Sequence, residues 1–296
     1  MESNRQDMID AIAAALDCGQ AIPYLGPGVI ALAGESALLP ASSEALATKL
    51  TSKISVPHKI RNNLTAAAQF IENFKHRKTL KTAITAAFRL EAEPTMVHRW
   101  LAALPALPLL VSTWYDDLPQ RALAARDSWG MVQGVSQAEH TGKWVHYFRA
   151  DGSRVVSADE TGNMDDGAPV EAAWATLLYQ PMGSVGPVEN FLVSDSDFVE
   201  VLTEIDIQTP IPQPVQELRK GRHFLFLGCR FATQMERLFA RQIMKRSSGR
   251  HWAVLPDALT KNEARFLEEQ NIGRVEMGLA EFVETMANSP RLAAAC

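Results

Sequence analysis

An α/β fold is predicted for this chain: a mostly parallel sheet with helices on both faces and a helical insertion after the first strand. Three observations predict it. Through the second half, short apolar runs alternate with amphipathic helical stretches, the pattern of strands joined by crossover helices. The first apolar run, Ala21-Ile22-Pro23-Tyr24-Leu25, lies between a helix and a glycine turn. About sixty residues of helical periodicity then separate it from the next strand, far more than a simple crossover needs.

Taken in order, Met8, Ile9, Ile12, Ala13 and Leu16 share one helical face, and Gly19 follows as a C-cap. The strand at 21–25 runs into Gly26-Pro27-Gly28-Val29. A helix, a strand and a glycine turn in that order open a Rossmann-like unit. Ser42 or Ser43 can cap a helix carrying Leu46 and Leu50. Ala67, Phe70, Ile71 and Phe74 make a second apolar stripe, Leu80, Ile84, Ala87 and Phe88 a third, and Thr95 to Leu104 a fourth. Residues 41–104 are therefore expected as a helical insertion over a crevice, within a single domain whose Rossmann-like core is 1–40 and 105–290.

Leu107 to Ser112 is the second strand, followed by the loop Thr113-Trp114-Tyr115-Asp116-Asp117 and a helix from Leu118 with Pro119 in its first turn. Residues 126–170 are expected as a hairpin and an acidic loop. Trp144 to Phe148 and Arg154 to Ser157 flank the turn Ala150-Asp151-Gly152, and the Gly-rich stretch 158–169 is the loop. Trp174 to Tyr179 is a third core strand, ending in Gln180-Pro181-Met182-Gly183-Ser184. Ser194 can cap the helix through Phe198, Val201 and Leu202, and Pro210, Pro212 and Pro214 mark a stiff connector. Phe224 to Leu227 is the clearest buried strand and closes on Gly228-Cys229-Arg230. Thr260-Lys261-Asn262-Glu263 spells a capping box between strands at 252–255 and 274–277. Ala280 to Met286 is a final helix, and 291–296 is expected as a disordered tail.

Composition narrows the function classes. The net charge is −5 with no Lys/Arg stripe, which argues against a nucleic-acid partner. No apolar run reaches the roughly 18 residues of a membrane span, and the polar start MESNRQDMID does not read as a secretory signal. A cytoplasmic protein is the expectation. The three cysteines, Cys18, Cys229 and Cys296, have no metal or disulfide spacing. No two of the seven histidines are spaced as a metal pair, so no metal is expected. Asp116-Asp117 and Asp165-Asp166 are sequence neighbours that point in different directions, not a ready acid/base pair. No GxSxG elbow or Walker lysine motif occurs.

Ligands of an open parallel sheet bind beyond the carboxyl ends of its strands. Four loops leave such ends here: 26–29, 112–117, 180–184 and 228–231. Three contain glycine, which lets backbone amides approach an anion without an intervening Cβ. Taken alone, Gly26-Pro27-Gly28 reads better as an ordinary tight turn than as a ligand loop, because the GxGxxG spacing is broken by Ala31.

In order and spacing these loops resemble the sirtuin-like superfamily, especially its bacterial stand-alone members, across roughly residues 20 to 285. Those proteins carry Gly-Ala-Gly-Val/Ile-Ser after the first strand, where this chain has Gly26-Pro27-Gly28-Val29-Ile30. Their Thr-Thr-Asn-Tyr-Asp is here Ser112-Thr113-Trp114-Tyr115-Asp116, their His-Gly is Met182-Gly183, and their Gly-Tyr/Cys-Ser is Gly228-Cys229-Arg230. The resemblance implies an NAD-type ligand and, in active relatives, cleavage of the nicotinamide–ribose bond. It assigns cofactor contacts to Gly26, Pro27, Gly28, Val29, Thr113, Trp114, Asp116, Gly183, Ser184, Gly228 and Cys229.

Two departures fall at the chemical centre. The family Asn can orient water and ribose hydroxyls through its amide, whereas Trp114 has one N–H donor and no acceptor. The family His can take a proton near neutral pH, whereas the Met182 thioether cannot. No catalytic residue is therefore assigned, with Asp116 the one carboxylate kept in view. Three readings stand: a catalytically degenerate module that holds NAD or ADP-ribose and acts as a sensor, a partner-binding subunit or a homo-oligomer; an NAD glycohydrolase using Asp116, Asp117 or Tyr115 instead; and a scaffold with a closed pocket. Trp114 either stacks on a ligand or fills the space a ligand left.

Overall fold

The computed structural model describes residues 2–34, 39–136, 144–155, 174–207 and 211–288. The acidic stretch 158–169 and the tail with Cys296 lie outside the described residues. The chain opens with α1 (Glu2–Asp17) and β1 (Ala21–Leu25). Gly19 takes φ 64°, and the amide of Gln20 donates back to the carbonyl of Ala15 at 2.7 Å, so the glycine ends α1 as the sequence indicates. A 3-10 helix, Pro27–Ala33, leaves β1. The insertion follows as α2 (Ser43–Lys53), α3 (Leu64–Lys75) and α4 (Arg77–Phe88), and then α5 (Met96–Ala102) leads into β2 (Leu109–Ser112). Ser42 caps α2 by accepting from the amide of Ala45 at 3.0 Å.

The remaining elements are α6 (Leu118–Leu123), β3 (Trp129–Gly134), β4 (Val145–Arg149), β5 (Thr176–Gln180), the short pair β6 (Gly183–Ser184) and β7 (Asn190–Phe191), α7 (Asp195–Ile207), α8 (Gln213–Arg219), β8 (His223–Leu227), α9 (Gln234–Met244), β9 (His251–Val254), α10 (Lys261–Glu269), β10 (Ile272–Val275) and α11 (Leu279–Ala287). The main sheet runs β10-β9-β8-β1-β2-β5-β3-β4, parallel except for the β3–β4 pair. The chain moves outward from β1 in one direction through β2 and returns to the other side with β8. That reversal sets a topological switch point between β1 and β8.

Both faces of the sheet are covered, which is why its strands are apolar on both sides. In β8, Phe224 and Phe226 join the core beneath the insertion, while Leu225 and Leu227 face α1, α5 and α11. Helix α5 packs on α11 and α6, on the face opposite α2 to α4, and delivers the chain to β2.

Two elements depart from the reading of the sequence. β3 is a fully buried strand between β5 and β4, where only a hairpin and loop were expected. Its glycines disguise it. A Cβ at Gly130 would enter the Trp174 indole at 2.3 Å, and one at Gly134 would meet the Pro181 carbonyl oxygen at 2.1 Å. Both serve close approach within a strand, not a turn. The turn at 149–152 forms, Phe148 bridges Arg154 and the Val155 amide donates to the Tyr147 carbonyl at 2.8 Å, while the rest of the expected return strand lies outside the described residues; on its other side β4 pairs with β3. The proline connector is also partly helix: Pro212 caps α8 and Pro214 sits in its first turn, where a missing amide hydrogen costs nothing.

Candidate functional site

The four candidate loops leave β1, β2, β5 and β8 at the same, carboxyl edge of the sheet, where parallel pairing brings them together. At the switch point the loops after β1 and β8 interlock. The amide of Gly26 donates to the carbonyl of Leu227 and that of Gly28 to the carbonyl of Gly228, each at 2.9 Å. A Cβ at Gly26 would lie 2.6 Å from the Gly228 oxygen, and one at Gly228 (φ 68°) would lie 2.5 Å from the Val29 nitrogen. These glycines are required by contact between two loops, and the Gly28 amide is already spent inside the protein. Pro27 and Gly28 are half-buried and Val29 is buried.

The loop after β2 is sealed in the same manner. The Thr113 hydroxyl and amide both donate to the Leu25 carbonyl at 2.9 Å. Trp114 is 4% exposed, and its indole Nε1 donates to the Pro40 carbonyl at 2.8 Å. Its ring meets Phe88 edge-on at 5.8 Å and Tyr115 at 5.1 Å. The Tyr115 hydroxyl donates to the Leu192 carbonyl at 2.7 Å, and burial holds its pKa well above the usual range. Asp116 is buried; one carboxylate oxygen accepts from the Leu118 amide at 3.1 Å. Loss of solvation pushes its pKa up to about 7, against the opposing effect of that hydrogen bond, with Asp117 adding a smaller upward push. Asp117 is half-buried at the start of α6.

Met182 is buried in the same apolar core as Trp114. Gly183 adopts φ 77° where β6 turns close to β7, and its Cβ would fall 2.0 Å from the Asn190 oxygen. The Ser184 hydroxyl, fully buried, donates to the main-chain carbonyls of Asp116 at 3.0 Å and Tyr115 at 3.3 Å. Cys229 is buried with its sulfur 3.7 Å from the Tyr24 carbonyl, and burial raises its pKa. Beyond the carboxyl ends of β3 and β5 lies a small cavity of about 20 Å³, lined in part by Tyr179, Pro181 and Leu192, with room for one water molecule.

The structure also assembles residues that sequence reasoning passed over. Gln133, next to last in β3, pairs in register with Gln180 at the end of β5, and Gln120 of α6 joins them. The Gln120 and Gln133 amides both donate to Gln180 Oε1, at 2.7 and 3.1 Å, and both reach the Gly186 carbonyl. This buried cluster holds the 180–187 loop against α6. A signal for it existed: two glutamines near the carboxyl ends of largely apolar strands. Pro40 and Phe88, which enclose Trp114, carried no such signal. Among the described residues, no group of three His, Cys, Asp or Glu side chains is arranged to hold a metal, and no helix is long and apolar enough to cross a membrane.

Sheet order and loop placement define a doubly wound α/β protein with a switch point between β1 and β8. The profile of the SIR2-like domain matches residues 108–274, and the chain belongs to that family. Among solved structures, a chain described as "Structural Basis for the Mechanism and Regulation of Sir2 Enzymes" aligns over 95% of this chain and 98% of its own, with 14% identity and a TM-score of 0.39. No curated protein matches.

Proposed function

We propose that this chain is a catalytically degenerate SIR2-like module. It keeps the frame for a dinucleotide, NAD or ADP-ribose, does not cleave it, and works in the cytoplasm as a sensor or as a subunit that binds a protein partner or a second copy. The observation that carries this reading is the state of Trp114. At the position where the resemblance puts a water-orienting amide, this indole is buried among Phe88 and Tyr115 and its only polar atom is committed to Pro40. Met182, at the position of the family base, adds a second apolar group. Neither can orient an acceptor or take its proton.

A second reading, a scaffold with a closed pocket, is favoured by the hydrogen bond from Gly28 to Gly228 and by the internal use of the Ser184 hydroxyl. Thermal unfolding in NAD or ADP-ribose, run beside an assay for released nicotinamide, separates the readings. Ligand at about 100 times its dissociation constant adds ~2.7 kcal/mol of stability if a site is open. A shift without nicotinamide supports the module that binds without cleaving, and no shift supports the scaffold. Nicotinamide release that Asp116→Ala abolishes would return the chain to the NAD glycohydrolases.

A further inference from the structure

The opposite edge of the sheet carries a feature that the sirtuin-like reading does not use. Between Arg219 and Arg250 lie nine Lys or Arg residues and one acid, Glu236, in a chain whose net charge is −5. Several of these cations converge on a basin of about 580 Å³ at the amino ends of β9 and β10. Arg241, Lys245 and Arg246 line one side, and Gln270 and Asn271 line the other. Among the described residues, Arg241 and Arg246 have no ion-pair partner. The one acid on the wall, Glu269, is paired with Arg265 at 2.6 Å. We propose that this basin binds a small phosphate-bearing anion of nucleotide size or less.

Three independent features support a built site. First, the wall is rigid and strained. Arg246 and Asn271 hold left-handed backbone, at φ 67° and 51°, a conformation that is costly for arginine. The turn after Arg246 is tied down by the amide of Ser248 to the Arg222 carbonyl at 2.9 Å and by the Asn271 side chain to the Gly249 carbonyl.

Second, a donor of the wall, the Ser247 hydroxyl, is buried without a partner. Third, the negative end of α9 is neutralised. Buried Arg219 donates to the carbonyls of Gln242 and Ile243, at 3.1 and 2.8 Å, so helix carbonyls do not repel an anion there. Burial lowers the Arg219 pKa, Tyr179 opposes that effect, and the nearby charge of Arg246 adds a smaller downward push. A cavity of this volume is within the range of small-molecule sites.

Calorimetric titration of the full chain with inorganic pyrophosphate at low ionic strength tests the proposal. Saturable binding is expected, weakened about tenfold or more by Arg241→Gln with Arg246→Gln, because charge-assisted hydrogen bonds are lost. Both side chains are exposed, so the melting temperature of the variant should match that of the native chain and a loss of binding is not a loss of fold. Trp114→Phe, at the other edge, should leave the titration unchanged. The proposal falls if pyrophosphate gives no saturable heat, if the double variant binds equally well, or if Trp114→Phe is the change that removes binding. A short DNA duplex that binds where pyrophosphate does not overturns it in favour of a nucleic-acid surface.

Discussion

The amide of Gly28 lies 2.9 Å from the carbonyl oxygen of Gly228, and through this bond the loop after the first strand closes on the loop after the eighth. In sequence the two residues are two hundred positions apart, yet each has its glycine because of the other. At Gly228 the positive φ and the approach of the Val29 nitrogen act together. Gly228→Ala should therefore cost about 2 kcal/mol or more, combining left-handed strain with a forced separation of the loops. Denaturant unfolding measures it; a loss below a few tenths of a kcal/mol would show that the loops separate freely.

Trp114 makes a sharper demand. Its truncation to Ala removes a buried ring from a core already shared by Phe88 and Tyr115, and the cavity should cost ~3–5 kcal/mol. Trp114→Phe keeps most of the volume and leaves the Pro40 carbonyl unbonded, so its loss should be smaller, about 1–3 kcal/mol. Chemical denaturation of both variants checks the order. Equal losses would mean that the hydrogen bond, not the packing, holds the 113–117 loop.

The insertion is fastened to the core by an ion pair whose carboxylate is buried. Arg77, the first residue of α4, donates to Asp197 of α7 at 2.8 Å and to the Phe191 carbonyl, and Asp197 also accepts from the amides of Val193 and Ser194. Removing Arg77 leaves Asp197 buried without its cation. Arg77→Ala should cost ~3–5 kcal/mol. Hydrogen exchange in α3 and α4 should rise with it, since these helices lose their link to residues 191–197. Unchanged exchange there would show that α2 to α4 are held by apolar packing alone.

Much of the fold was legible because local chemistry and tertiary role agree. The Ser42 cap, the Thr260–Glu263 capping box and the alternation of Phe224 to Leu227 all mean the same thing in isolation and in place. Where they disagree, the reading failed. Gly130 and Gly134 look like turn residues, but only the packing of Trp174 and Pro181, residues distant in sequence, explains them. Pro214 looks like a helix breaker and is a helix opener because of its position in α8. The site followed the same division. That loops 26–29 and 228–231 meet could be inferred from topology. That Pro40 would take the Trp114 indole hydrogen, or that Ser184 would turn inward to the 115–116 carbonyls, depends on distances that no spacing in the sequence encodes.

The last prediction turns on Asp116. Its carboxyl is buried and its pKa is raised from an ordinary 3.8 to about 7, chiefly by lost solvation. In the unfolded chain it ionises near its ordinary value, so between those limits the folded state binds more protons than the unfolded state. Stability then falls as pH rises, because its slope with pH follows the protons bound by the unfolded state minus those bound by the folded state. The contribution is fully present below about pH 4 and is lost by about pH 7, with a ceiling of ~4 kcal/mol for a shift of this size. Asp116→Asn removes the titration and keeps an oxygen to accept from the Leu118 amide. The variant should therefore match the native chain at acid pH and exceed it in stability near neutrality. Denaturant midpoints of both proteins from pH 4 to pH 8 test this. Parallel curves would show that Asp116 is ionised in the folded protein, and the carboxylate would then regain its claim to chemistry at the crevice.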